Sequence, residues 1–336
     1  MSDAVPGSAG GSSAAPISLP TYNASGVAVG AARPSVPVVW YRAIRPFSFT
    51  ASIIPVLVGS GCALVLGGFS PLAFLLCLGG GMALQAGTNL VNDYFDHQLG
   101  ADHSGSLGPS RVIQEGWLSP QAVLAGGVGF FVAGGLAGFA LVAMAGWPIL
   151  ALGLIGVPLA YGYTAPPLKL AYRGLGELNV FVLMGPFMVL GGFLVHRVAG
   201  LGTALTASMP IGCLVAAILH ANNLRDLDDD RALGKQTLAT IVGPTLGKVE
   251  MLALLGGAYT ALIAAVYCRV LPRTALLGLL SLPTAYQVSK TVVTGNTPQE
   301  LAPSVRQAAK LHAQFGVLLT VGLVAAAGWR VLRRRW

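Results

Sequence analysis

The sequence predicts an all-α membrane protein, a polytopic helical bundle of about nine transmembrane helices. Three observations support this class. The chain is 54% hydrophobic and only 10% charged, whereas soluble domains carry about 25% charged residues. Its apolar residues fall into runs of about 20, the length that a helix needs to cross a bilayer. Glycine is abundant, at 45 residues, as expected where membrane helices pack closely.

The chain begins with a segment rich in Ser, Gly, Ala and Pro. Such a composition cannot bury a core, so residues 1–34 are predicted to be a disordered tail before a transmembrane domain at 35–336. The tail has no basic segment followed by an apolar one, so no cleavable signal peptide is expected. The predicted spans are 47–67, 71–93, 120–144, 147–164, 177–197, 205–225, 246–268, 273–292 and 312–331.

Basic residues indicate the orientation of the spans, because cytoplasmic loops carry more Lys and Arg. Trp40, Tyr41 and Arg45 precede the first span, as interfacial anchors do. With the N terminus in the cytoplasm, the loops that carry most internal basic residues are also cytoplasmic. The basic cluster at residues 330–335 then falls on the opposite side, against the rule, if there are nine spans.

Acidic residues are concentrated in two short segments at the ends of spans. Of the twelve Asp and Glu in the chain, seven lie there: Asp93, Asp96 and Asp102 in the first, and Asp226, Asp228, Asp229 and Asp230 in the second. At helical spacing, one face of the first segment carries Asn89, Asn92, Asp93 and Asp96. In the second segment, one face carries Asn222, Asp226 and Asp230, with Asn223 at its edge.

Two carboxylates one helical turn apart repel each other unless a cation lies between them. Oxygen ligands alone suit Mg²⁺, which is usually held by one or two carboxylates together with substrate phosphates. The two faces are therefore predicted to meet and to hold Mg²⁺ and a diphosphate. The predicted metal ligands are Asp93, Asp96, Asp102, Asp226 and Asp230. The alternative interpretation is that these acids are solvated helix ends, and for Asp228 and Asp229 it stays open.

Further polar side chains near the two segments are candidates for binding the diphosphate or the acceptor. Cations and hydroxyls for the substrate are Arg111, Tyr163, Lys169, Arg225 and Lys235, and the amides are Asn89, Asn92, Asn222 and Asn223. Each of these cations could instead serve only to orient the spans in the membrane. Glu177 begins a span and is a candidate for orienting the acceptor, or only an acid at a helix N terminus. The predicted catalytic set is Asp93, Asp96, Asp226, Asp230, Lys169 and Glu177.

These residues resemble a known family. The segments Asn89-Leu-Val-Asn-Asp-Tyr-Phe-Asp96 and Asn222-Asn-Leu-Arg-Asp226, with Asp230 and Gly234-Lys235 beyond, are similar to the two aspartate-rich motifs of the UbiA superfamily of intramembrane prenyltransferases. The resemblance extends from Arg45 to the last span. The branch that it most resembles is MenA, the 1,4-dihydroxy-2-naphthoate polyprenyltransferases, through Gly100-Ala-Asp102, Arg111 with Gln114, and Gly174-Leu-Gly-Glu177. The segment 163–169 is also similar to one in chlorophyll synthases.

The resemblance implies a UbiA-type bundle whose pocket opens to the cytoplasm and the membrane. It implies that Mg²⁺ bridges both motifs and a polyprenyl diphosphate, that the C1–O bond ionises to an allylic cation, and that an aromatic carbon attacks. In the MenA branch this reaction belongs to menaquinone synthesis, and prenylation accompanies loss of the acceptor's carboxylate. The expected location is the bacterial inner membrane, with the active site towards the cytoplasm.

Two alternatives to this function are another aromatic acceptor and a different class of protein. The other acceptors are 4-hydroxybenzoate, homogentisate and chlorophyllide. The other class is a cation-coupled secondary transporter, whose acids lie near mid-span, whereas here both clusters lie at span ends beside Lys and Arg. The net charge of +8 is scattered between apolar runs, so no nucleic-acid partner is expected. The sequence indicates neither the prenyl chain length nor the oligomeric state.

Overall fold

The computed structural model is almost entirely helical, and it describes residues 21–22, 28–29, 34–100 and 110–334. Two strands of two residues each, Thr21–Tyr22 and Ala28–Val29, pair antiparallel. Most of the tail predicted at 1–34 lies outside the described residues, as does Asp102. The predicted all-α class is confirmed by the helical architecture.

Twelve helices form the described part of the chain. They are α1 (Val36–Ile44), α2 (Thr50–Val65), α3 (Pro71–Gln98), α4 (Pro120–Ala145), α5 (Trp147–Tyr161), α6 (Gly176–Val182), α7 (Met188–Leu194), α8 (Leu201–Arg225), α9 (Leu227–Ala232), α10 (Leu238–Tyr267), α11 (Leu282–Thr294) and α12 (Pro298–Arg334). A π-helical segment, Leu183–Phe187, joins α6 to α7. Short 3₁₀ segments are Pro46–Phe49, Leu170–Tyr172 and Arg273–Ser281.

Seven helical stretches among the described residues are long and apolar enough to cross a membrane. They are Val36–Val65, Pro71–Gln98, Pro120–Ala145, Gly176–Leu194, Leu201–Arg225, Leu238–Tyr267 and Pro298–Arg330. The predicted spans at 147–164 and 273–292 correspond to shorter elements, because α5 has 15 residues and α11 has 13 after a 3₁₀ segment. The count of nine spans is therefore not confirmed, but the protein is an integral membrane protein.

The turn between α4 and α5 has the tight form that the sequence predicts. Gly146 adopts a φ of 88°, a conformation that residues with a side chain rarely adopt. Pro148 then occupies the first turn of α5, where its missing N–H costs no helical hydrogen bond. The two helices therefore form a hairpin, and α5 ends at Tyr161, just before the loop that reaches the first acidic segment.

Helix α8 is central to the packing of the bundle and contacts α2, α6, α7, α10 and α12. Its buried residues include Ile211, Leu214 and Ala217. Gly185 lets the π-helical segment approach α8 closely, since a Cβ on Gly185 would lie 2.7 Å from the Gly212 Cα. This packing holds the C-terminal end of α8, where the second acidic segment begins, between α6 and α10.

Two loops beside the acidic segments are joined through their backbones. The Gly174 N–H donates to the Gln236 carbonyl at 2.7 Å, and Arg173 forms a parallel bridge with Gln236. Helix α10 then begins with a capping box, in which Thr237 and Thr240 exchange side-chain and backbone hydrogen bonds. The loop between α5 and α6 and the residues before α10 are therefore held together.

Candidate active site

The described part of the first acidic segment, which excludes Asp102, occupies the last turns of α3. The predicted polar face is helical throughout, and it carries Asn89, Asn92, Asp93 and Asp96. Asn89 is buried, and its side-chain amide donates to the Ile44 carbonyl and to Ser48 Oγ, both at 2.8 Å. Asn89 thus fastens the turn after α1 to α3. Its predicted role in binding substrate stays a prediction.

Asp93 is 3% exposed and contacts two side chains from distant parts of the chain. The Arg45 guanidinium forms an ion pair with it, and Ser110 Oγ donates a hydrogen bond to it. Charged partners of this kind form the stronger hydrogen bonds of proteins. The sequence predicts only an interfacial role for Arg45, so the pairing of Arg45 with Asp93 is not predicted. The one sequence signal for it is a basic residue beside a proline immediately before the first span.

The loop between α5 and α6 supplies partners for the other two residues of this face. Tyr172 Oη donates to Asp96 Oδ1 at 2.7 Å, and Thr164 Oγ1 donates to Asn92 Oδ1 at 2.9 Å. The loop therefore packs directly on the first segment. Tyr172 is not among the residues predicted from the sequence, because a tyrosine in a loop between helices carries no pattern that distinguishes it.

The second acidic segment crosses a break between two helices. Helix α8 ends at Arg225, Asp226 is the residue between, and α9 follows. The predicted four-residue spacing survives the break, since the Asp226 N–H donates to Asn222 O at 2.9 Å and the Asp230 N–H to Asp226 O at 2.8 Å. Arg225 is predicted to bind diphosphate. In the structure it is buried, and Nε and Nη2 each donate to an Asp226 carboxylate oxygen at 2.6 Å.

The four acids of the second segment differ in exposure. Asp230 is 5% exposed, and its Oδ1 accepts from Lys235 Nζ at 3.0 Å. Asp228 and Asp229 are exposed, which agrees with the interpretation that they are solvated. The acids at four-residue spacing, Asp226 and Asp230, are therefore the less exposed acids of this segment.

Lys235 is where the two segments meet. Its ammonium lies 5.5 Å from the centre of the Tyr172 ring, and Tyr172 holds Asp96 of the first segment. Burial lowers the pKa of Lys235, but the carboxylates of Asp230, Asp96 and Asp226 act together to raise it above its ordinary value. For Asp230, burial and the neighbouring carboxylates of Asp226 and Asp96 raise the pKa despite Lys235. The predicted convergence of the two segments is thus present.

The other predicted substrate residues with a hydroxyl or a cation are Tyr163, Lys169 and Arg111. Burial, followed by the charges of Glu177, Asp96 and Asp230, raises the pKa of Tyr163 well above its ordinary value. Lys169 is half-buried in a left-handed turn with φ 45°. Arg111 follows Ser110, and its Nε is 3.6 Å from Glu115.

Glu177 lies in the protein interior rather than against the aspartates. It is 4% exposed, and its Oε1 accepts from Asn223 Nδ2 at 2.7 Å. The same oxygen is 3.3 Å from His220 Nδ1. The acceptor-orienting role predicted for Glu177 stays a prediction.

Asn222 is half-buried, and its amide donates to the Ile218 carbonyl at 3.4 Å.

An apolar cavity of about 350 Å³ lies beside the first segment. Its walls come from α3, α4, α5 and residues 183–191, and its few polar wall residues include Ser52, Gln85 and Thr88. Gln85 donates to Asn89 Oδ1 at 3.2 Å, so one end of the cavity reaches the polar face of α3. An elongated apolar group with a polar head fits this arrangement.

A family model, described as the UbiA prenyltransferase family, matches residues 52–313. The chain belongs to the UbiA prenyltransferase family. It is 30% identical over 286 residues to the 1,4-dihydroxy-2-naphthoate octaprenyltransferase of Bacillus subtilis (strain 168), which covers 85% of this chain and 92% of the relative. It is 29% identical over 304 residues to the 2-carboxy-1,4-naphthoquinone phytyltransferase of Synechocystis sp.. That match covers 88% of this chain and 95% of the relative.

A solved UbiA homologue has the same fold. The Archaeoglobus fulgidus protein, bound to GPP and Mg²⁺, superposes with a TM-score of 0.58 at 16% identity, covering 84% of this chain and 99% of that one. Membership of the UbiA family makes this protein a prenyltransferase and confirms the resemblance seen in the motifs. It sets aside the secondary transporter as an alternative.

Proposed function

We propose that this UbiA prenyltransferase transfers a polyprenyl group from a polyprenyl diphosphate to 1,4-dihydroxy-2-naphthoate, in menaquinone biosynthesis. The observation that carries the proposal is the approach of the two acidic segments at Lys235, beside an apolar cavity. Lys235 pairs with Asp230, and it lies over the ring of Tyr172, which donates to Asp96. The acids suit a metal-bound diphosphate and the cavity suits an isoprenoid chain. The naphthoate acceptor is favoured because the two relatives described above are named for naphthalene-ring substrates.

The residues present fit Mg²⁺. The donor set consists of carboxylate and amide oxygens, which Mg²⁺ prefers. Asp230 Oδ2 is buried and has no hydrogen-bond partner among the described residues, so it is available as a ligand. Asp93, Asp96, Asp226 and Asp230 would hold the metal, which would neutralise the diphosphate and favour departure of pyrophosphate. Asp102 stays a predicted ligand outside the described residues.

The chain's own cations complete the binding of the diphosphate. Lys235 and Arg45 already lie against acids of the two segments, so their positive charges are positioned where pyrophosphate would leave. Lys169 and Arg111 stay candidates for outer contacts. The apolar cavity takes the prenyl chain and keeps water from the allylic cation, which an aromatic carbon of the acceptor then attacks.

The test is a reaction with purified protein in detergent or liposomes, a polyprenyl diphosphate, Mg²⁺ and one aromatic acceptor at a time. We expect pyrophosphate release with 1,4-dihydroxy-2-naphthoate and a prenylated, decarboxylated product by mass spectrometry. Release should stop when Mg²⁺ is chelated and return when it is restored. If product forms with 4-hydroxybenzoate, homogentisate or chlorophyllide instead, the proposed acceptor is wrong, but the proposed reaction class stands.

We further propose that the protein lies in a bacterial inner membrane with both acidic segments facing the cytoplasm. The distribution of basic residues supports this side. The loops that carry the acids also carry most of the internal Lys and Arg, as cytoplasmic loops do.

A further inference from the structure

Three ionisable side chains meet inside the bundle, outside the aspartate segments. Glu177 begins α6, His220 lies on α8 and Glu250 lies on α10. One ligand atom of each lies within 4.8 Å of the other two. His220 is 0% exposed, Glu177 is 4% exposed, and the Glu250 side chain is 20% exposed. Ionisable groups from three helices are costly to bury in an apolar protein unless a partner neutralises them.

The hydrogen bonds of His220 define which ring nitrogen faces the carboxylates. Nε2 lies 2.8 Å from the Gly247 carbonyl oxygen, so Nε2 carries a hydrogen and donates it. In a neutral imidazole, Nδ1 then presents a lone pair. Nδ1 lies 3.3 Å from Glu177 Oε1 and 3.7 Å from Glu250 Oε2. A lone pair and two carboxylates repel one another unless a cation lies among them.

We propose that Glu177, His220 and Glu250 bind a divalent transition-metal ion such as Zn²⁺, at a site distinct from the aspartate segments. Ligands about 2.0–2.1 Å from a tetrahedral ion lie about 3.3–3.4 Å apart. The separation of Nδ1 from Glu177 Oε1 has this length, and its separation from Glu250 Oε2 is somewhat longer. Most N–H···O hydrogen bonds are shorter, about 2.7–3.2 Å between donor and acceptor. Imidazole with carboxylates suits transition metals, whereas Mg²⁺ takes oxygen ligands. A divalent ion also balances both carboxylates, whereas a protonated imidazole leaves one negative charge.

Groups around the three side chains support a built site. The Gly247 carbonyl fixes the imidazole tautomer, as a hydrogen-bond partner of a metal-bound histidine does. Asn223 Nδ2 donates to Glu177 Oε1 at 2.7 Å and orients that carboxylate. Glu177 Oε2 is buried without a hydrogen-bond partner in the described part of the chain, so it is free to serve as an additional ligand. Because Asn223 belongs to the second acidic segment, the metal would also position that segment.

The first experiment measures metal in the full-length protein, purified in detergent without a metal-affinity step. We expect elemental analysis to find about one transition-metal ion per chain. Chelator-treated protein, held in excess Mg²⁺ to occupy the aspartate segments, is then titrated with Co²⁺. The expected result is the intense visible absorption of four-coordinate Co²⁺. Absence of both signals in the wild-type protein overturns the proposal.

Variants assign the signal to these ligands. Glu250→Gln and His220→Asn should lose the metal and the Co²⁺ spectrum, and Asn223→Ala should weaken Co²⁺ binding by about tenfold. Glu250 is the most exposed of the three ligands, so its replacement disturbs the core least. If His220→Asn does not fold, the result with Glu250→Gln decides the test. Unchanged Co²⁺ binding in Glu250→Gln contradicts the proposal.

Two control variants should keep the metal. His312 is also 0% exposed, and its ring nitrogens have no hydrogen-bond partner among the described residues, so His312→Asn tests the loss of a buried histidine alone. Asp93→Asn tests whether the metal belongs to the aspartate segments. Loss of the Co²⁺ spectrum in folded protein of either variant would place the metal elsewhere and overturn the assignment.

Discussion

Lys235 Nζ lies 3.0 Å from Asp230 Oδ1, and this pair connects the two acidic segments of the enzyme. The lysine reaches the pair from the residues before α10, and its ring neighbour Tyr172 binds Asp96 at the end of α3. Acids separated by more than a hundred positions in the chain are therefore joined through the contact between Lys235 and Tyr172. The chemistry proposed for the site depends on this contact.

Replacing Lys235 by Ala should lower kcat/KM for pyrophosphate release by about 10²–10³-fold, because one positive charge at the leaving group is removed. Lys235→Arg should recover only part of the loss, since the guanidinium has a different shape and hydration. The matched control is Lys290→Ala, an exposed lysine on α11, which should retain wild-type turnover. Equal turnover in Lys235→Ala and Lys290→Ala would contradict the role of Lys235.

Replacing Asp93 or Asp226 by Ala should abolish turnover while the protein still inserts into the membrane. Each change removes a proposed metal ligand and an ion pair, which Asp93 forms with Arg45 and Asp226 forms with Arg225. Pyrophosphate release and membrane fractionation measure the two properties separately.

The controls for these aspartate variants come from the same chain. Asp228→Ala and Asp229→Ala remove exposed acids and should lower activity less than about twofold, because exposed charges contribute little. Retained activity in both Asp93→Ala and Asp226→Ala would refute their assignment to the metal.

Filling the apolar cavity should discriminate against long prenyl donors. Gly153 lines the cavity, and a Cβ added there meets no atom within 4 Å. Gly153→Phe should raise KM for a long polyprenyl diphosphate by about tenfold, because its chain loses apolar surface to bury. Geranyl diphosphate should be affected less.

Gly129 provides the matched control for the cavity variant. It is also helical, with no atom within 4 Å of an added Cβ, and it does not line the cavity. Gly129→Phe should therefore leave the KM values for both donors unchanged. A parallel rise in KM for short and long donors in Gly153→Phe would mean that the chain does not lie in this cavity.

The orientation of the protein can be tested with a membrane-impermeant maleimide in intact bacterial cells. Cys268 is exposed just beyond the end of α10, across the membrane from the second acidic segment, and should be labelled from outside. In a Cys268→Ser background, Asp229→Cys should be labelled only after the membrane is permeabilised. Labelling of Asp229→Cys in intact cells would reverse the proposed orientation.

The sequence by itself determined the membrane class, most of the spans and the two acidic faces. These features depend on short-range properties: hydropathy along about 20 residues, and the three- and four-residue spacing of a helix. The spacing of Asn222, Asp226 and Asp230 holds in the structure even across the break after α8. The tight turn at Gly146 is equally local, since one backbone conformation decides it.

Only the tertiary structure decided which side chains meet across the bundle. Arg45 pairs with Asp93, Tyr172 with Asp96, and Glu177 with His220. These pairs join segments between 43 and 76 positions apart, so no spacing rule relates them. The Arg45–Asp93 pair depends on the packing of α1 on α3, and the Glu177–His220 pair on the packing of α6 on α8. The backbone bridge at Gln236 fastens the loop that carries Tyr172. Helix packing in the membrane, rather than helix periodicity, therefore assembles the site.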